Sequence, residues 1–356
     1  MKKLVDYEIP HCIVDMDVAN ENLYQGDRTD YLKYLSKTIN WLYENLKNNT
    51  NPEPRIYMNF QDFCDAYTQD ITWTLRLVKF LKNTPITAVT FEDGRGTFLP
   101  FQIGIMTNTI RIVLGDDKKL LLHLHAGNGT ENAGLIEGVL NGADGIWAGF
   151  TKEAAIIGHA STAEFLVNLM RVGNQSVADT YQIDKLLTMS QKITKINTSI
   201  DTPNDFPIIG SNAYRTMLSF FEQKGSFTKT LSRLNGERVG VEVKRKMDVP
   251  AENIGGKNGY RITPVVSDDE VIYGRMKELN IAPDDLTPND AVLGFMRIVM
   301  RRDLVAGNRF VYDDKAGLKK CYSDALKLIV EPETSWQKLR RRIRCLRQKI
   351  QSKLLC

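Results

Sequence analysis

The sequence lacks any apolar run long enough to cross a bilayer, and it has few cysteines and few histidines. No stretch approaches the ~18 apolar residues of a membrane-spanning helix, and the first twelve residues lack the apolar core of a signal peptide. The five cysteines stand apart without a CxxC pair, which argues against a zinc ribbon and against a disulfide framework. These absences predict a cytoplasmic protein without membrane spans.

The composition is that of a globular protein with an uneven distribution of charge. Hydrophobic residues make up 42% of the 356 residues and charged residues 25%, which excludes wholesale disorder and fibrous repeats. The net charge is +4, but segment 335–356 holds eight Lys and Arg and no acidic residue. The rest of the chain therefore has a net charge of −4, and the excess of positive charge belongs to the tail alone.

The tail, residues 335–356, is predicted to form a basic amphipathic helix. Its apolar residues recur every three to four positions: Trp336, Leu339, Ile343, Leu346, Ile350 and Leu354. Such a helix can dock on the acidic body of its own chain, lie on an anionic membrane surface, pair as a short coiled coil or bind nucleic acid. We favour docking on the acidic body, then the membrane surface, and we expect no nucleic-acid partner.

Strand and helix signals alternate in the first half of the chain. Buried strands are predicted at residues 9–18, 55–60, 86–91, 119–125, 145–150 and 206–210. Helix-forming segments separate the first five strands, whose centres lie roughly 25 to 45 residues apart. That spacing is typical of βαβ units, so we predict an α/β fold with a parallel sheet or a (β/α) barrel.

Three of the four histidines stand at the end of one predicted strand or after the next one. His123 and His125 end one strand two residues apart, so both imidazoles project to the same face. At the carboxyl end of a parallel strand that face lines the mouth of a barrel. Two imidazoles on one face suit a divalent metal, although an isolated HxH pair also occurs as an ordinary polar strand end. His159 lies in a turn after the next strand.

Two glycine-containing turns follow neighbouring strands. Gly127-Asn128-Gly129 precedes a predicted helix, where backbone N–H groups can approach an anion; a simple tight turn is the other interpretation. The turn at 91–96, FEDGRG, places Asp93 at the same mouth. Asp93 is a candidate substrate contact or support for a metal ligand, and a loop-forming Asp-Gly pair is the alternative.

The stretch 123–166, which begins HLHAGNGTENAG, resembles the late strands of a family of metal-dependent barrels. The family comprises 3-hydroxy-3-methylglutaryl-CoA (HMG-CoA) lyase, the isopropylmalate and homocitrate synthases, and the carboxyltransferase domain of pyruvate carboxylase. Segments 55–70, 89–100 and 206–218 resemble further parts of the same family in the same order. The resemblance covers roughly residues 11–220.

The resemblance implies a fold and a division of the chain. It implies a (β/α)8 TIM-barrel-like, metal-binding domain at 1–220, with fewer than the usual eight strands of its own. A smaller α+β region is expected at 221–334, before the tail. The family's synthases dimerise, so we expect a homodimer or a partner chain that supplies the missing strands. Segment 226–265 is the other candidate to cover the edges of the sheet.

The resemblance also implies the chemistry. A divalent metal (Mg, Mn or Zn) would be held by His123, His125 and His159, the last of which stands where many members have Asn. The ion would act on a 2-oxo acid or an acyl-CoA through an enolate, in a carbon–carbon lyase or a Claisen-type acyl-transferring synthase. The candidate catalytic residues are Asp93, Glu92 and Arg95. The candidate substrate-binding residues are Gly127, Asn128, Gly129 and Asp62, the last near the family's acidic position.

One departure from the family leaves two functions open. The family begins with a strand that carries an Asp metal ligand and an Arg-Asp-Gly turn, and this sequence has no such motif. By order, residues 13–18 match the family's third strand, where Asp15 or Asp17 could substitute for the missing ligand. The first function is the enzyme described above. The alternative is a catalytically inactive or split homologue that serves as a binding or assembly protein.

Overall fold

The computed structural model describes residues 2–19, 28–49, 53–216, 226–234, 237–244, 249–265, 267–308 and 312–330. The chain forms two compact units, one of Met1–Ala213 with Met247–Gly256 and the other of Tyr214–Lys246 with Lys257–Cys356. Within the described ranges, no helix is both long and apolar enough to pass through a membrane. The amphipathic helix predicted at 335–356 lies outside the described residues.

A parallel sheet forms the centre of the first unit. Its strands are β1 (His11–Asp17), β2 (Arg55–Gln61), β3 (Ala88–Asp93), β4 (Lys119–Leu124) and β5 (Gly145–Ile146). They lie side by side in chain order, and every neighbouring pair is parallel. The predicted α/β fold is therefore confirmed, with five strands in this sheet among the described residues. The expectation that a partner chain or segment 226–265 covers its edges stays a prediction.

Helices connect the successive strands. The helices of the first unit are α1 (Lys2–Asp6), α2 (Arg28–Asn49), α3 (Phe63–Gln69), α4 (Ile71–Lys82), α5 (Pro100–Leu114), α6 (Glu131–Leu140), α7 (Thr162–Arg171), α8 (Ser176–Thr180) and α9 (Leu186–Thr198). α2 buries a stripe with helical spacing: Leu32, Leu35, Ile39, Leu42 and Leu46. α5 begins at Pro100, because the first helical position needs no backbone N–H donor.

The two faces of the sheet differ in polarity, and the polar residues lie on one face near the carboxyl ends of the strands. The face packed on helices is apolar and buried: Ile56, Met58, Phe60, Val89, Phe91, Leu120 and Leu122. Alternation along each strand turns the intervening residues to the other face. Towards the carboxyl ends of β1 to β4 these residues are Asp15, Asn59, Glu92 and His123.

The strand predicted at 206–210 is wrong, because this segment forms tight turns. The N–H of Gly210 donates to the carbonyl oxygen of Phe206 at 3.0 Å, and Ile208 has a φ of 65°. Ile208 and Ile209 are buried, as the apolar run suggests. Hydrophobicity alone predicts burial, and it does not separate a short buried strand from buried turns.

The second unit is α+β. Its elements are β6 (Arg215–Thr216), β7 (Ser226–Leu234), β8 (Glu237–Lys244), β9 (Gly259–Tyr260), α10 (Asp269–Glu278), α11 (Ala291–Val305) and α12 (Lys315–Val330). β7 and β8 pair in antiparallel fashion and are nine and eight residues long. Apolar residues of the three helices form a second core that includes Ile272, Met296 and Leu318.

Candidate metal centre

Three histidines meet where β4 ends. His123 is on β4, His125 follows the last residue of that strand, and His159 comes from the turn before α7. Backbone hydrogen bonds hold that turn against the strand end: the N–H of Ala126 donates to the Gly158 carbonyl and the N–H of Ala160 to the Leu124 carbonyl, both at 3.0 Å. Residues far apart in sequence are thereby fixed side by side.

The three rings are close enough to share one ion. Their centroids lie 5.0 Å apart for His123 and His125, 4.5 Å for His123 and His159, and 4.3 Å for His125 and His159. One nitrogen from each ring lies within 4.8 Å of the other two. His123 is buried and the other two are partly buried. This group could therefore hold a divalent metal, because imidazole nitrogen is a common ligand.

The backbone carbonyl of Trp147 determines which ring nitrogen of His123 carries the hydrogen. The Nδ1 atom of His123 lies 2.6 Å from that oxygen, and a carbonyl only accepts, so Nδ1 carries the hydrogen. The lone pair is then on Nε2, which is the arrangement that ligating histidines commonly have. Burial lowers the pKa of His123, and its ring stacks on the Trp147 indole at 4.7 Å. The sequence does not predict this role of Trp147, because any residue type has a backbone carbonyl that can accept the hydrogen bond.

His159 is held in its neutral form. Burial lowers its pKa to about 4, and the neighbouring His123 and His125 add to the effect because a second positive charge among them is unfavourable. A neutral imidazole keeps the lone pair that binds a metal. At neutral pH this ring can therefore act as a ligand without first losing a proton.

A carboxylate stands beside His125. The Nε2 atom of His125 lies 3.3 Å from Oε1 of Glu92, while its Nδ1 is buried without a hydrogen-bond partner. The Oε2 atom of Glu92 accepts a hydrogen bond of 2.9 Å from the side-chain amide of Asn59. Of the predicted catalytic residues, Glu92 is thus the one that the structure places beside the histidines.

Asp93 and Arg95 are engaged elsewhere. The Oδ2 atom of Asp93 accepts a hydrogen bond of 2.8 Å from the N–H of Phe98, and strand alternation turns its buried side chain away from the face that bears Glu92. Asp93 therefore stabilises the turn before α5. Arg95 is largely exposed and forms an ion pair of 3.1 Å with Asp65 on α3. Neither side chain joins the histidine group.

Among the predicted substrate-binding glycines, Gly127 has a packing role. A Cβ atom on Gly127 would lie 1.8 Å from the carbonyl oxygen of Arg95, so only glycine fits between the turns after β3 and β4. Gly129, by contrast, faces open space. The side chain of Asn128 bridges the same turns, because it donates to the Phe98 carbonyl at 3.0 Å and accepts from the N–H of Thr130 at 2.9 Å.

Asp62 lies at the end of β2, next to Glu92. It adopts a left-handed backbone with a φ of 51°. Gly94 packs between the two acids, since a Cβ there would lie 2.5 Å from Oδ1 of Asp62 and 3.3 Å from Oε1 of Glu92. Burial raises the pKa of Asp62; Arg95 opposes this shift, and nearby carboxylates reinforce it. Asp62 therefore holds a proton more readily than an ordinary aspartate.

Part of the chain is similar in structure to solved HMG-CoA lyases. The enzyme from Bacillus subtilis is 16% identical with a TM-score of 0.44, and the match covers 57% of this chain and 68% of that one. The enzyme from Acinetobacter baumannii, solved with coenzyme A and 3-methylmalate, is 13% identical with a TM-score of 0.41, over 57% of this chain and 67% of that one.

No family model matches the chain, and no curated protein matches its sequence. The structural comparison finds the family that the sequence resembles, over part of the chain only. At these TM-scores the similarity assigns no activity. The function proposed for this chain therefore depends on its own residues.

Replacing His159 by leucine is expected to weaken metal binding, whereas asparagine is expected to preserve it. Leucine fills a similar space without a donor atom, while the amide oxygen of asparagine can replace the ring nitrogen as a ligand. Zinc titration of both variants in the presence of a competing chelator measures the difference. Equal affinity of the leucine variant and the parent would reduce the site to His123 and His125.

Proposed function

We propose that this chain is a divalent-metal-dependent carbon–carbon lyase or acyl-transferring synthase that acts on a 2-oxo acid or an acyl-CoA through an enolate. The observation that supports this is the convergence of His123, His125 and His159 at the carboxyl end of a parallel strand. In α/β folds built on parallel strands, that end is where ligands and catalytic groups assemble.

The donor atoms of the cluster fit a divalent ion. The Nε2 atom of His123 has its lone pair, the Nδ1 atom of His125 is buried without a hydrogen-bond partner, and His159 is neutral. When bound, such an ion supplies a Lewis acid that polarises a carbonyl group and stabilises the negative charge of an enolate. Three imidazole donors suit Zn better than Mg or Mn, which prefer oxygen ligands.

The surrounding residues supply the remaining functions in this proposal. Asp62, with its raised pKa, is the proposed proton donor and acceptor at the end of the neighbouring strand β2. The exposed guanidinium of Arg95 and the open turn at Gly129 are proposed to contact the carboxylate or phosphate groups of the substrate. Asp93 holds the turn that carries Arg95.

Proton exchange provides a test that does not require the true substrate. The protein is loaded with Zn, Mn or Mg and incubated in D2O with pyruvate or with acetyl-CoA, and loss of the methyl signal is followed by proton NMR. Metal-dependent exchange is expected, because formation of an enolate removes a proton from the carbon next to the carbonyl. HMG-CoA cleavage is measured in parallel as the lyase assay.

The same assays distinguish the two functions. The His123→Ala variant is expected to lose exchange, which ties the activity to the cluster. A parent that binds metal and both probes, but neither exchanges protons nor cleaves HMG-CoA, would contradict the proposed activity and favour a binding or assembly role for this chain.

A further inference from the structure

Four polar side chains cross the sheet from β1 to the end of β4 in a continuous line. The amide nitrogen of Asn59 lies 2.9 Å from Oδ1 of Asp15 and 2.9 Å from Oε2 of Glu92. The other oxygen of Glu92 lies 3.3 Å from Nε2 of His125. The line therefore runs from Asp15 through Asn59 and Glu92 to one histidine of the cluster.

Asn59 is the fixed centre of this line. It is 2% exposed, and it is a polar residue in an otherwise apolar stretch of β2. Its register places it directly beside Asp15 on β1. Its two amide hydrogens meet one carboxylate on each side, and the opposite amide orientation would bring an oxygen against both acids. Asn59 therefore holds Glu92 in one position.

Glu92 in turn contacts one histidine of the three. The ligand atoms that lie within 4.8 Å of one another belong to the three histidines, and Glu92 is not a member of this group. A carboxylate only accepts, so a hydrogen on Nε2 of His125 is stabilised by Glu92, while a lone pair there is repelled. The same arrangement leaves Nδ1, which is buried without a partner, as the atom with the lone pair.

We propose that Glu92, anchored by Asn59 and Asp15, is a positioning residue that keeps the proton of His125 on Nε2 and so presents Nδ1 to the metal. The metal part of this inference rests on the proposed function, whereas the tautomer part concerns the metal-free protein. Carboxylate partners commonly orient ligating histidines in this way. The geometry gives Glu92 a role distinct from that of a metal ligand or of a group that exchanges protons with substrate.

The tautomer is measured first, in the metal-free chain at neutral pH. Long-range proton–nitrogen NMR spectra separate Nδ1–H from Nε2–H imidazoles, and the His125→Gln variant assigns the His125 signals. The parent is expected to show Nε2–H. Glu92→Leu is expected to lose this preference, and Glu92→Gln to keep only part of it, because glutamine has a single acceptor oxygen for the two donors, Asn59 and His125, that face the two oxygens of Glu92. A parent with Nδ1–H at His125 overturns the proposal.

Zinc affinity is measured second, by competition with a chelator. Glu92→Leu is expected to bind about 10- to 100-fold more weakly, and Asn59→Ala and Glu92→Gln are each expected to be weakened by less. Glu53→Gln is the matched control: it alters a carboxylate near the amino end of β2, where Glu53 accepts a hydrogen bond from Tyr43. That control is expected to bind zinc like the parent. Thermal melting of each variant verifies folding.

Each outcome decides between distinct explanations. Unchanged zinc affinity in folded Glu92→Leu overturns the positioning role, and complete loss of zinc in both Glu92 variants makes Glu92 a ligand instead. If the parent binds no metal yet shows the Glu92-dependent tautomer, the proposed function fails while the positioning of His125 stands.

Discussion

Alanine at His123 or His125 is expected to abolish stoichiometric metal binding in a protein that otherwise holds about one divalent ion per chain. Each substitution removes one of the nitrogens that lie within 4.8 Å of one another. Either substitution removes one of the two ligands at the end of β4, so a single strand ligand and His159 from the turn are left to compete with water and buffer for the ion. Elemental analysis after incubation with Mn, Zn and Mg and desalting measures the bound ion.

The fourth histidine provides the matched control. His11 is exposed at the amino end of β1, where its Nδ1 accepts a hydrogen bond of 3.2 Å from the N–H of Arg55. His11→Ala is therefore expected to retain the ion. If the parent holds none of the three metals after incubation, the proposed centre does not exist.

Gly127→Ala is expected to destabilise the first unit by about 3 kcal/mol and to weaken metal binding at the same time. The new Cβ would lie 1.8 Å from the carbonyl oxygen of Arg95, so the backbone itself has to move. Gly127 is two residues from His125, and the displacement is carried to the ring. Urea unfolding measures the first effect and zinc competition the second.

Gly129→Ala separates this clash from the general cost of replacing glycine. Gly129 has a φ of 75° but no atom within 4 Å of a new Cβ. Alanine at this position is expected to lower the free energy of unfolding by about 1 kcal/mol, because a residue with a Cβ atom is strained in the left-handed backbone conformation. Zinc binding is expected to be unchanged. Similar destabilisation by the two variants would mean that the contact between Gly127 and Arg95 is dispensable.

The sheet is largely predictable from local patterns, and the exceptions have identifiable causes. β1 to β4 are continuous apolar or alternating runs bounded by turn residues, and their predicted positions agree with the structure to within about three residues. The run 145–150 yields a strand of only two residues, β5, and 206–210 yields turns. In both cases the sequence identifies apolar residues, whereas strand pairing depends on neighbours that a local pattern does not contain.

The sequence predicts which side chains of the site share a face of one strand, but it does not predict contacts between different strands. The two-residue spacing of His123 and His125 predicts that their rings share a face, whereas the place of His159 beside them is implied only by the family resemblance. The contact of Asn59 with Glu92 depends on the register between strands 33 positions apart in sequence. Asp93 shows the converse: the sequence leaves open a substrate contact or a loop-forming aspartate, and its hydrogen bond from the N–H of Phe98 agrees with the second interpretation, while its catalytic role stays a prediction.

The agreement between strand order and chain order has a consequence for how the sheet is made. Each strand from β2 to β5 pairs with the strand that precedes it in the chain, so its pairing partner has already been synthesised when it emerges. Assembly can then proceed vectorially as the chain leaves the ribosome, strand by strand, without waiting for a distant segment. The turn that carries His159 follows all five strands in the chain, so the histidine cluster can form only after this segment has been synthesised.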